Sequence, residues 1–110
     1  MRNPMIPATL LAVSALLAVS GPAHAEGDAA AGKVKAYTCK GCHGIPGYNN
    51  VYPTYKVPKL GGQHYEYLVA ALKSYRAGER KHPTMSLQAS SLSDQDIEDL
   101  AAYFASVGTE

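Results

Sequence analysis

The chain has 110 residues, 46% hydrophobic and 17% charged, with a formal charge of +1, two Cys and no Trp. That length holds one small domain and excludes multi-domain readings. The near-zero charge excludes the strong basic excess of a nucleic-acid binder.

The first 25 residues read as a secretory signal. Arg2 supplies the positive start, and Ala8 to Val19 form an apolar run of about a dozen residues. Ala23-His24-Ala25 is a small-residue site for cleavage before Glu26. A membrane-spanning helix needs about 20 apolar residues, so cleavage is expected rather than a retained anchor. The expected organisation is a leader at 1–25 and one domain at 26–110, exported to the bacterial periplasm without stable membrane insertion. Without the leader, nine Lys and Arg balance nine Asp and Glu, and Met85, His43, His64 and His82 are the Met and His residues that remain. A domain this small buries a modest share of its surface, so an additional staple is expected.

Asp28 caps a helix predicted to run through Ala29 to Tyr37 straight into the next segment, with Gly32 marking a close helix crossing. That segment is Cys39-Lys40-Gly41-Cys42-His43, a CxxCH motif, the attachment signature of haem c. Two thiols three positions apart can each add to one vinyl group of the porphyrin, and the adjoining imidazole then reaches the iron from one face. A thioredoxin-type redox pair would need a βαβ context, which the pattern lacks. Zinc would need four ligands, and no second CxxC or H-x-H cluster is present. A Cys39–Cys42 disulfide would close too small a loop to stabilise much.

Residues 44 to 62 are rich in Gly, Pro and Asn and read as a long functional loop. Tyr65, Leu68, Val69, Leu72 and Tyr75 then fall on one face of a helix over 64–77, with Gly78 as its stop. His82-Pro83-Thr84-Met85 reads as a loop. The last helix has Ser93 as cap, Asp96 in capping-box position, Leu92 and Ile97 as a hydrophobic staple, and Gly108 at its end. No segment alternates like a strand, so the predicted fold is all-α with three to four main helices and long loops.

The sixth ligand of such an iron separates electron carriers from ligand-binding haem proteins. Met85, 42 residues after His43, is the one thioether outside the leader and the first choice. A lone Met is often a core gap-filler, but Pro83 stiffens its approach here. His82 and His64 are the rivals, and either would give a bis-imidazole centre of lower potential.

Taken together, Gly27 to Gly32, Cys39 to Gly44, Pro58 to Gln63, the Met85 segment and Leu92 to Phe104 make the domain resemble the class I c-type cytochromes. The match is to the small bacterial mono-haem type, similar to one domain of the dihaem periplasmic cytochromes c. The resemblance implies a near-perpendicular crossing of the first and last helices, with Tyr103 or Phe104 against Gly32. It implies one covalent haem c on Cys39 and Cys42, with His43 and Met85 as axial ligands. It further implies a Pro carbonyl accepting the His43 ring N–H, with Pro53 the first candidate and Pro58 the second. Tyr48, Tyr52 and Tyr55 lie in a loop longer than the simplest family pattern, where they either meet haem propionates or pack with an exposed tip.

The expected function is a soluble periplasmic electron carrier, not an enzyme. Its partners would be redox proteins such as a membrane cytochrome complex, a dehydrogenase or a terminal oxidase or reductase, with the carrier a monomer or weak dimer. A haem enzyme or gas sensor with an exchangeable sixth site, and a fixed electron-transfer subunit, are the alternatives. The basic residues all precede the acidic last helix, so a charge dipole for steering and a well-mixed surface are both open.

Overall fold

The computed structural model describes residues 27–52 and 54–108; the expected leader lies outside them. Five helices and one hairpin make up the described chain: α1 (Ala29–Lys35), α2 (Tyr37–His43), β1 (Asn49–Val51), β2 (Thr54–Lys56), α3 (Tyr65–Ala77), α4 (Pro83–Ser90) and α5 (Asp94–Ser106). No helix among the described residues is long and apolar enough to cross a membrane.

The first helix starts where its cap predicts, with the Asp28 carboxylate accepting from the N–H groups of Ala30 and Ala31. It does not run unbroken into the CxxCH segment. Ala36, fully buried, forms an elbow between α1 and α2. The main crossing is α1 on α5, and it depends on an absent side chain. A Cβ on Gly32 would lie 1.9 Å from the Asp99 carbonyl oxygen and 2.8 Å from Cβ of Tyr103. Tyr103 is therefore the aromatic that approaches this glycine.

The α5 cap forms as its sequence predicts: Ser93 Oγ accepts from the Asp96 N–H at 3.0 Å, and the Asp96 carboxylate accepts from the Ser93 N–H at 2.9 Å. Ile97, Leu100, Ala101 and Phe104 are buried along this helix, and Leu100, Ala101 and Phe104 join Ala36 and Leu68 in the core. Full burial of Ile97 and Leu100 contributes about 2 kcal/mol each or more. Gly78 ends α3 in the left-handed conformation at φ 77°.

Two segments depart from the sequence expectation. Residues 49–56 form an antiparallel hairpin, pairing Asn49 with Lys56, Asn50 with Tyr55 and Val51 with Thr54. The Val57 N–H extends the ladder to the Tyr48 carbonyl at 3.0 Å. Three-residue strands with mostly exposed side chains carry no apolar alternation, so pattern could not reveal them. The segment after His82 is the helix α4 rather than a loop. Pro83 stands at its first position, where the missing N–H costs nothing and the fixed φ suits a helix. These changes raise the helix count to five while the class stays all-α.

Candidate functional site

Three of the predicted site residues share α2. Cys39 and Cys42 are half-buried free thiols one helical turn apart, which places them on one face. Cys39 also touches the core. Burial pushes its thiol above the ordinary Cys range, partly offset by a hydrogen bond with Thr38. Such a setting favours uncharged sulfur, as a thioether is.

His43 closes α2, where the Gly44 N–H donates to the Lys40 carbonyl at 3.0 Å. Its ring Nδ1 donates to the Pro58 carbonyl at 2.7 Å. A ring that donates through Nδ1 keeps its lone pair on Nε2, the nitrogen then available to a metal. Of the two prolines weighed for this bond, Pro58 occupies the position and Pro53 lies outside the described residues. Pro58 begins a strap that reaches α5 four residues later. There Gly62, at φ 81°, donates its N–H to the Phe104 carbonyl at 2.9 Å.

Met85 is half-buried at the third position of α4, and its N–H donates to Nδ1 of His82 at 3.3 Å. His82 is thus the side-chain cap of α4, with its ring edge-on to Tyr55 and Tyr75. His64 sits exposed at the N-cap position of α3 without a side-chain cap bond. Tyr55 takes part in the His82 contact, whereas Tyr52 is 93% exposed at the hairpin turn.

The arrangement fits a porphyrin-held iron better than a bare ion. Among the described residues no three His, Cys, Asp or Glu side chains converge as a metal cluster. The donors on offer are two thiols, one oriented imidazole and one thioether. On the His43 and Pro58 side lies a cleft of about 650 Å³ whose wall includes Lys40, Lys56, Lys59, Tyr103 and Val107. Neither cysteine nor Met85 lines it, so this cleft is a neighbour of the thiol pair and not the whole seat of the group. Lys40 lies over the Tyr103 ring, 4.8 Å from its centroid, and joins α2 to α5.

Comparison with known proteins decides the family, since the cytochrome c profile matches residues 29–108. The chain belongs to the cytochrome c family. As a member it carries covalently bound haem c. This cytochrome is 47% identical to cytochrome c-554(548) of Halomonas halodenitrificans, over 73% of its own length and 96% of that protein. The crystal structure of reduced recombinant cytochrome c4 from Pseudomonas stutzeri matches with a TM-score of 0.61 at 42% identity, covering 76% of this chain and 47% of that one. Thiosulfate dehydrogenase of Marichromatium purpuratum matches with a TM-score of 0.63 at 32% identity, covering 80% of this chain and 21% of that one. The chain spans about half the length of the curated cytochrome c4 relatives it matches. Its helices are those of a class I cytochrome c fold.

Proposed function

We propose that this cytochrome is an exported one-haem electron carrier, with Cys39 and Cys42 as thioether anchors and His43 and Met85 as axial ligands. The single observation that carries the reading is the 2.7 Å bond from His43 Nδ1 to the Pro58 carbonyl, which aims Nε2 away from the strap. When bound, haem c supplies a one-electron ferrous/ferric couple. The chain's own residues orient the His43 imidazole and would offer the Met85 thioether as the second ligand, while the Leu68 and Phe104 core packs against Cys39. A thioether there raises the reduction potential and keeps small ligands out.

The charge layout supports docking to an acidic redox partner. Asp94, Asp96 and Asp99 of α5 are tied to Arg76 and Lys35, so these acids are partly neutralised. Lys40, Lys56 and Lys59 meanwhile gather around the cleft beside His43. Cleavage after Ala25 and a periplasmic location complete the reading.

The test is a mass spectrum, visible and near-infrared spectra of both redox states, and a potentiometric titration of the purified protein. The expected mass is that of residues 26–110 plus one haem. Met85→Ala should abolish the sulfur-to-iron band and open the ferrous protein to carbon monoxide. A band that persists in this variant removes Met85 as the ligand.

A fixed electron-transfer subunit is the second reading, favoured by the match to part of a thiosulfate dehydrogenase chain. Stoichiometric copurification with a larger oxidoreductase would select it.

A further inference from the structure

We propose that Tyr55, His82 and Thr84 are positioning residues: the β1–β2 hairpin clamps the first turn of α4 and so holds the Met85 thioether against displacement. This rests on the axial role given to Met85 above.

Helix α4 has eight residues, too few to be stable by itself, so its first turn depends on what holds it. His82 is an unusual cap, because Asn, Asp, Ser and Thr are the residues that normally fill that place. It accepts the N–H of Met85 itself at 3.3 Å, while its carbonyl accepts from Ser86 at 2.8 Å. An imidazole can do this only if its ring is held in one orientation, and two elements hold it. Tyr55 on β2 meets it at 4.8 Å between centroids with planes 85° apart, and Tyr75 on α3 at 6.3 Å and 81°. Edge-to-face pairs at such distances are favourable.

The hairpin makes a second attachment one residue from the thioether. The Tyr55 hydroxyl donates to Thr84 Oγ1 at 3.3 Å. The Arg80 guanidinium also lies over the Tyr75 ring, 4.8 Å from its centroid. The segment carrying Met85 is therefore tied at His82 and Thr84 to a hairpin that lies outside the helical core. The same contacts commit the His82 ring to the cap, which argues against it as the sixth ligand.

The experiment is stopped-flow cyanide binding to the ferric holoprotein, with the sulfur-to-iron band recorded before mixing. Cyanide takes the place that the thioether vacates, so its rate reads how often the segment opens. Tyr55→Ala and His82→Ala should bind cyanide about tenfold faster than the parent, the scale expected for losing one cap or one ring contact. His82→Asn retains a cap acceptor and should recover part of the slow rate. Should an alanine variant fail to load haem, Tyr55→Phe serves instead: without the hydroxyl bond to Thr84 it should bind about threefold faster, with helix content unchanged. Parent-like rates in the loaded Tyr55 and His82 variants overturn the clamp, even if Met85→Ala abolishes the band and so sustains the ligand. A band that survives in Met85→Ala overturns the ligand reading instead.

Discussion

Gly32 and Asp99 face each other where α1 crosses α5, and together they fix how closely the two helices approach. A methyl group on Gly32 would have to occupy space 1.9 Å from a backbone carbonyl, which no rotamer change relieves. Gly32→Ala should lower holoprotein stability by about 3 kcal/mol, the upper range for overpacking, measured by guanidinium unfolding. The Asp99 side chain, 4% exposed, accepts from the Asp28 N–H at 2.8 Å, Lys35 Nζ at 2.6 Å and Gln95 Nε2 at 2.9 Å. It closes the crossing from the side. At this scale the sequence was most legible where chemistry is local. The spacing of Cys39, Cys42 and His43 follows from one helical turn, and the Ser93 and Asp96 cap from four consecutive residues. The partner of His43 was not legible to the same degree. Choosing between Pro53 and Pro58 requires the course of the chain through 44–58, and that is set by strand pairing with no apolar signature.

Among elements, α1 and α5 are also joined by charge, and this makes their packing pH-dependent. Lys35 bonds Asp96 at 2.8 Å and Asp99 at 2.6 Å. Lys35, aided by the Ser93 cap bonds, lowers Asp96 to about 2, and Lys35 with the Asp28 N–H likewise holds Asp99 below its usual range. Both carboxyls are more acidic folded than unfolded, where an Asp titrates near about 3.9. Their contribution is therefore complete above that value and disappears as pH falls toward about 2. Lys35 shifts upward, so its own contribution is complete below the ordinary Lys range and lost as pH rises beyond it. The denaturant midpoint of the holoprotein should drop between pH 4 and pH 2, roughly the span set by these shifts. Lys35→Met should flatten that acid limb. Helix α4 shows why the elements were less legible than the motif. His82 and Pro83 hold the cap and first positions of a helix, but His is a weak cap signal and the helix is short, so a loop was the natural reading. Its cap is completed by Tyr55, 27 residues earlier in the chain, and no local pattern encodes that contact.

For the whole molecule, the thinness of the core is the dominant fact. The fully buried large side chains are Ile97 and Leu100 among the described residues, while Val34, Tyr37 and Leu87 remain exposed. A domain of this size with so few large buried groups has little margin of its own. Removing the haem should abolish cooperative thermal unfolding and near-ultraviolet dichroism while leaving part of the helix signal, as in a molten globule. A sharp transition in the apoprotein would show that the protein core suffices. The predicted need for a staple came from chain length and the two Cys, and it agrees with the haem c of the family.

The strap from Pro58 to Gly62 bears on kinetics as well as on shape. It is tied to the His43 ring at one end and to the α5 backbone at the other, with three residues between the two anchors. An imidazole held through its Nδ1 in this way has little freedom to swing or tilt. If His43 ligates the haem iron, as proposed, such a restrained ring would keep the structural adjustment that accompanies each electron small. With the ligation proposed above, the rigidity of the α5 backbone would thereby favour fast self-exchange.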